Sequence, residues 1–109
     1  MSAEENMLLC STLANLYQQN NNFTAALQLR KQHVTQTKMK RGENNVYYIN
    51  SVIKLADVLA ASGDLAEAVE QQTKVVELAG LMFGGEHQLY KKQLGVLRKY
   101  EKRLLKTEL

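Results

Sequence analysis

The sequence repeats itself at a spacing of 42 residues. Residues 13–17 align with residues 55–59, and residues 23–27 align with residues 65–69. The same shift places Gly42 on Gly84 and Tyr48 on Tyr90, so the register continues without an insertion. A fixed period in this range is typical of stacked repeats, in which no unit can cover its own apolar face. The sequence therefore predicts two units that stack to form one core.

Apolar residues recur at helical spacing in five segments, and no segment alternates as a strand does. The predicted helices span about 5–19, 23–39, 46–62, 65–83 and 87–106. Asn20 to Asn22, Gly42, Gly63 with Asp64, and Gly84 with Gly85 supply the turn and capping residues between them. The absence of proline and the abundance of Ala, Leu, Gln, Lys and Glu favour helices. We expect an all-α solenoid of two helical hairpins and a capping helix.

This array forms a single predicted domain, residues 1–109, because no linker or low-complexity tract divides the chain. The first repeat is predicted at about 6–41, the second at about 45–83 and the capping helix at about 87–107. Its expected inward residues include, from the first helix, Met7, Cys10, Leu13, Ala14 and Tyr17, and from the third, Ile49, Val52, Leu55, Ala56 and Leu59. The last helix is rich in Lys and Arg, which suits an end cap with a polar outer face.

The repeated pattern resembles the tetratricopeptide repeat. The matching positions are Leu13, Ala14, Tyr17, Phe23 and Ala26 in one copy and Leu55, Ala56, Leu59, Gly63, Leu65 and Ala68 in the other. The 42-residue spacing and the Gly-x-x-His step at Gly84 are similar to the long repeats of kinesin light chains. The resemblance covers roughly residues 7–109. The chain departs from the family at Arg30 and Gln72, where a large apolar residue is usual, and at His33 and Val75, where a small one is usual.

The resemblance implies that the first helices of successive hairpins line a groove that holds a peptide or helix of a partner protein. The groove positions carried over to this chain are Leu8, Ser11, Asn15, Gln18, Asn50, Ile53, Asp57, Ala60, Lys92, Gly95, Lys99 and Arg103. An Asn at the position of Asn15 often bonds the ligand backbone in this family. Leu8 and Ile53 would act as apolar anchors, and Asn15, Asn50 and Asp57 would set orientation. The alternative is a solvated helix face with no specific ligand.

Charge is concentrated in the last helix. Lys92, Lys99 and Arg103 recur at helical spacing, so they form a positive stripe that would favour an acidic peptide. A soluble end cap explains the same stripe equally well. Some family members hold a C-terminal carboxylate with Lys and Asn of the first repeat, but the first helix here has neither Lys nor Arg.

We expect no catalysis, no cofactor and no metal site. His33 and His87 have no Cys or carboxylate at a metal-ligand spacing, and Cys10 has no His nearby in the sequence to activate it. His33 is interpreted as a partly buried structural residue, His87 as part of the turn between repeats, and Cys10 as a buried, inert thiol.

Three hypotheses of function follow. The first is a non-catalytic scaffold that binds another protein in the groove. The second is binding of RNA or another polyanion through the last helix and residues 38–41, with Tyr90 and Tyr100 as the available aromatics. The third is a piece of a longer protein with its enzymatic domain elsewhere, because the Gly-x-x-His-x-x-Tyr step at residues 84–90 resembles the helical tails of SET and MYND-type methyltransferases.

Location and assembly are further expectations. No apolar run is long enough for a membrane span or a secretory signal, and a single cysteine cannot form an internal disulfide. These features predict a cytoplasmic, intracellular protein without membrane contact. The first helix has no predicted helix in front of it, so we also expect a homo-oligomer that associates through that helix.

Overall fold

The computed structural model describes residues 2–108 as five helices in sequence. They are α1 (Ala3–Gln19), α2 (Phe23–Arg41), α3 (Val46–Ser62), α4 (Leu65–Phe83) and α5 (Gln88–Glu108). Each helix packs mainly against the helix before it and the helix after it. No strand occurs within residues 2–108. The architecture confirms the all-α solenoid of two hairpins followed by a single helix.

The predicted turn residues cap the helices. Asn21 adopts a left-handed φ of 60°, and the Asn22 side chain accepts a hydrogen bond from the Ala25 backbone N at 3.3 Å. Gly63 ends α3 with a φ of 94°, which a residue with a Cβ rarely adopts. Asp64 then accepts from the Glu67 backbone N at 3.3 Å and begins α4. The bounds of α3 and α4 therefore agree with those predicted.

Three helices extend beyond their predicted ends. α1 begins at Ala3, ahead of the predicted Glu5, because Ser2 and Glu5 form a reciprocal capping box. α2 continues to Arg41, past the predicted Met39, until Gly42 ends it. α5 ends at Glu108, past the predicted Lys106. All three extensions lie in polar stretches, where the apolar pattern carries no information about the helix end.

The core consists of two clusters that share Val34 of α2. One cluster joins α3 to α4 and α5 and contains Leu55, Leu59, Ala60, Leu65 and Ala68, with Tyr100 and Leu104 packed against it. The other contains Tyr48, Ile49, Val52 and Val75. Every inward residue predicted for α3 is buried. The middle helix α3 is thus covered on both sides, as stacking of the two hairpins requires.

Three positions differ from the expectation. Leu13 was expected to face inward but is only partly buried, because within residues 2–108 no helix packs on the outer side of α1. Tyr17 was expected to face inward but lies in the last turn of α1 and is 38% exposed, which the amphipathic side chain of tyrosine tolerates. Ala60 was expected on the groove wall but is 3% exposed, because it packs in the cluster with Leu59 and Leu65. Ala60 therefore offers no side chain to a partner.

Over the part of the chain that the structure describes, none of the helices combines the length and the apolar character that crossing a membrane needs.

Candidate functional site

Two adjoining clefts lie between α1 and α3, with α2 beneath them. The first has a volume of about 470 Å³ and is lined by Asn15, Gln18, Gln19, Arg30, Lys54 and Asp57. The second has a volume of about 210 Å³ and is lined by Met7, His33, Thr37, Arg41, Tyr47, Asn50, Ser51 and Lys54. Lys54 belongs to both clefts, so we treat them as one groove, called here the α1–α3 groove.

The floor of this groove holds a buried cation. Arg30 of α2 is only 2% exposed. Its guanidinium donates to Ser11 Oγ at 3.4 Å and to Asn15 Oδ1, while its Nε has no hydrogen-bond partner. Burial lowers the pKa of Arg30, and the charge of Asp57 partly offsets this effect. Arg30 thus joins α2 to the groove-facing side of α1 and orients Asn15.

The equivalent position in the second hairpin makes a different contact. Gln72 is also buried, but its Nε2 donates to the backbone O of Gln93 at 2.9 Å and to Gln93 Oε1 at 3.0 Å. Gln72 therefore links its hairpin to the following helix, whereas Arg30 bonds within its own hairpin. Of these two polar substitutions in the repeat pattern, only Arg30 lines the groove.

Asp57 lines the larger of the two clefts. Gln18 Nε2 of α1 donates to Asp57 Oδ2 at 2.9 Å, which ties α1 to α3 directly. On the other side, burial raises the pKa of the Tyr100 phenol on α5, and the negative charge of Asp57 adds to that rise. Asp57 is therefore within electrostatic reach of α5 as well as bonded to α1.

A second basic cluster lines the smaller cleft. His33 is partly buried and its Nδ1 has no hydrogen-bond partner. Burial lowers the pKa of His33, and the charges of Arg30 and Lys54 lower it further. The Arg41 guanidinium lies 4.2 Å from the centre of the Tyr47 ring, in the geometry of a cation–π contact. The cations of this cleft are thus Arg41 and Lys54, which lie beside the amide of Asn50, while the lowered pKa of His33 favours its neutral form.

The structure brings some predicted site residues together and separates others. Asn15, Asn50 and Asp57 line the groove, and Ser11 accepts from its Arg30 floor. Leu8 is 70% exposed on α1, whereas Ile53 is partly buried and packs against the core cluster of Val52. These placements leave Leu8 with more free surface for a partner than Ile53.

The predicted site residues of α5 do not line the α1–α3 groove. Arg103 donates from Nη2 to the carbonyl O of Ala60 at 3.3 Å, so it is anchored to the end of α3. Lys92, Gly95 and Lys99 are exposed on α5. The positive stripe is therefore present on the surface, but the cations nearest Asn15 and Asn50 come from α2 and α3.

Sequence reasoning missed four basic groove residues, namely Arg30, His33, Arg41 and Lys54. Arg30 and His33 had a usable signal, because a basic residue where a repeat has an apolar or small one must find a polar partner in the folded chain. Arg41 was a candidate only for polyanion binding, as part of residues 38–41, and Lys54 gave no signal, since an exposed Lys or Arg on a helix is ordinary.

Three features bear on catalysis, on polyanion binding and on metal binding. The Cys10 thiol is buried, donates to the carbonyl O of Leu29 at 3.0 Å, and has a pKa that burial raises. Tyr90 and Tyr100 are partly buried, Tyr90 against Gly80 and Tyr100 against the α3–α4 cluster, so neither ring is free for base stacking. Among residues 2–108, no three His, Cys, Asp or Glu side chains are grouped as a metal site.

Comparison with known proteins agrees with this architecture. The family model described as Tetratricopeptide repeat matches residues 4–80, which is more than half of the chain. A search of curated proteins returned no match. Repeats of this family generally mediate protein–protein interaction and typically have no catalytic activity. With its helical hairpins stacked in register and this match across both of them, the chain belongs to the tetratricopeptide repeat family.

Proposed function

We propose that the chain is a non-catalytic binding module that holds an extended, acidic segment of another protein in the α1–α3 groove. The observation that carries this proposal is the charge of the lining. Arg30, Arg41 and Lys54 line the two clefts together with His33, and Asp57 is the one carboxylate among the described lining residues. A groove of one predominant sign favours a partner of the opposite sign.

The buried position of Arg30 strengthens this argument. A guanidinium that is 2% exposed has little access to water, so an anion placed in the groove would interact with it more strongly than with a surface lysine. Its Nε is buried without a hydrogen-bond partner, so the guanidinium charge is only partly compensated within the chain. The neighbouring Asn15 has its Oδ1 held by Arg30, which leaves the amide NH₂ to donate to a peptide carbonyl.

We place the ligand contacts at Ser11, Asn15, Asn50 and Asp57, with Leu8 and Ile53 as apolar contacts and Lys92, Lys99 and Arg103 as an outer basic border. Lys54 joins this set because it lines both clefts. We also propose that the repeats are of the long type found in kinesin light chains, which their 42-residue spacing supports.

Two matched peptides test the proposal. A fluorescent, flexible peptide of alternating Glu and Ser is titrated against the chain, and a peptide of alternating Gln and Ser serves as the neutral control. The Glu peptide is expected to bind about tenfold more tightly, since one charge-assisted hydrogen bond contributes roughly 1.5 kcal/mol. Equal affinity for the two peptides would reject an electrostatic groove.

Two lysine variants assign the binding to the groove. Lys54→Ala is expected to lose most of the preference for the Glu peptide. Lys31→Ala is the matched control, because Lys31 is exposed and pairs with Glu67, at 3.9 Å, rather than lining the groove. Equal losses in the two variants would show nonspecific attraction. Tighter binding of a single-stranded RNA, falling steeply with added salt, would favour the polyanion hypothesis instead.

A further inference from the structure

The outer side of α1 carries an apolar stripe that equivalent helices bury. The stripe consists of Leu9, Leu13 and Leu16, and we call it the end stripe. Leu9 is 46% exposed and Leu16 is 50% exposed, while Leu13 is partly buried. The 42-residue repeat places these three residues on Ser51, Leu55 and Val58 of α3, which are 1%, 4% and 0% exposed. The equivalent positions are therefore buried in α3 but largely exposed to solvent in α1.

The contacts of α3 and α5 show what normally covers this position. Ser51 lines a cleft together with His33 and Thr37 of α2, so this side of α3 faces the preceding helix. In α5 the equivalent residue is Gln93, which is bonded to Gln72 of the preceding α4. α1 has no preceding helix within residues 2–108, and its equivalent position carries a leucine rather than a polar residue. An apolar surface would therefore cover the outer side of α1 best.

We infer that the end stripe is the dimerisation surface of this chain, and that it packs against the end stripe of a second copy. The free side of α5, at the opposite end of the array, is not complementary to the end stripe. The side of α5 equivalent to Cys10, Ala14 and Tyr17 carries Leu94, Arg98 and Glu101, and the last two are exposed charges. Head-to-tail stacking would bury those charges against leucines, which costs free energy. Pairing the stripe with itself about a twofold axis avoids that cost.

The sequence of α1 favours an antiparallel pairing. Leu9, Leu13 and Leu16 follow the alternating spacing of four and three residues that forms a helix–helix seam. An axis beside Leu13 places Leu9 of one copy opposite Leu16 of the other. All acidic residues of α1 lie in its first turn, and the helix has no basic residue. Antiparallel helices keep the acidic turns apart, whereas parallel helices would bring them together.

The size of the surface sets the expected affinity. A helix of 17 residues is about 26 Å long, and α2 beside it widens the face to about 20 Å. Leu29 and Gln36 of α2 border a cleft of about 260 Å³ next to Leu9, which can receive side chains of the second copy. Each copy would cover about 500 Å², near the lower limit for a specific interface. The dimer should therefore dissociate in the micromolar range, roughly 1–100 µM.

Sedimentation velocity of the full chain over about 1 µM to 1 mM tests this inference. We expect a concentration-dependent monomer–dimer equilibrium. Leu9→Glu with Leu16→Glu should weaken it at least about 100-fold, because two carboxylates would be buried in each copy. Leu81→Glu is the matched control, since Leu81 is an 85% exposed leucine of α4 outside the end stripe, and it should leave the equilibrium unchanged. Circular dichroism confirms that the variants keep their helices.

A cysteine at the axis tests the geometry separately. In a Cys10→Ala background, Leu13→Cys should form a disulfide-linked dimer under mild oxidation, and Leu81→Cys should not. A monomer at every concentration would overturn the inference and leave the end stripe to a helix of another chain or segment. Open-ended oligomers, or a dimer that persists in the Leu9→Glu, Leu16→Glu variant, would also overturn it.

Discussion

Replacing Arg30 with methionine separates binding from stability. The substitution removes the hydrogen bonds to Ser11 and Asn15, worth up to about 1.5–3 kcal/mol for a charged donor. It also removes an unpartnered buried Nε, whose burial costs about 1–3 kcal/mol, and the desolvation cost of the charge itself. Asn15 is exposed and Ser11 partly so, and water can bond to both once Arg30 is gone. The free energy of unfolding should stay within about 1 kcal/mol or rise.

Gln72→Met makes the same change at the equivalent position of the second hairpin. Here the lost partner, Gln93, is 4% exposed, so water cannot replace the donated hydrogen bond. An unpaired buried acceptor costs about 1–3 kcal/mol, and this cost is partly offset because the substitution also removes Gln72 Oε1, a buried acceptor without a hydrogen-bond partner. The melting temperature should fall by roughly 4–8 °C per kcal/mol for a domain of this size. We therefore expect the same substitution to lower the stability more at Gln72 than at Arg30.

Urea denaturation followed by circular dichroism measures both free energies, and titration with the Glu and Ser peptide measures groove binding. Arg30→Met should bind the peptide about tenfold more weakly, whereas Gln72→Met, once folded, should bind it as the unmodified chain does. A loss of more than about 2 kcal/mol of stability in Arg30→Met would refute the reasoning. So would an unchanged peptide affinity.

Three further outcomes are expected. Gly63→Ala should lower the free energy of unfolding by about 1 kcal/mol, because a φ of 94° strains a residue with a Cβ. Gly95→Ala, inside α5 with open space around it, should raise that free energy by about as much, and thermal denaturation measures both changes. Burial and nearby cations lower the pKa of His33 in the folded chain, so the unfolded chain binds more protons below about pH 6.5. The free energy of unfolding should therefore fall as pH drops from about 7 to about 5.5, and His33→Gln should reduce that fall; an equal slope in both would contradict the assignment. The Cys10 thiol should react with a water-soluble disulfide reagent much more slowly in the native chain than in urea, and equal rates would show that it is accessible.

The fold could be predicted because the residues between the helices are strong helix-ending and capping residues. Gly63 with Asp64 and Gly84 give unambiguous ends, so the bounds of α3 and α4 agree with prediction. α1 begins two residues before the predicted Glu5, because the reciprocal hydrogen bonds of Ser2 and Glu5 cap the helix in a stretch that the sequence shows only as polar. The burial of Ala60 depends on the packing of α5 against α3, which helical periodicity alone does not describe.

The candidate site was harder to predict than the fold. Asn15 and Asp57 share one repeat position, and that register placed them in the groove. Arg30 could be identified as irregular, but its direction could not, because Gln72 at the equivalent position bonds to the following helix. Only three-dimensional packing distinguishes a polar residue that faces a groove from one that joins two repeats.

The most direct test of acidic-segment binding in the α1–α3 groove is a nitrogen–proton NMR titration of the labelled chain with the Glu and Ser peptide. We predict that the largest shift changes occur at Asn15, Asn50, Lys54 and Asp57, with smaller changes on α5. Shift changes confined to α5, or absent from the backbone amides and side-chain NH₂ groups of Asn15 and Asn50 at saturation, would contradict the account.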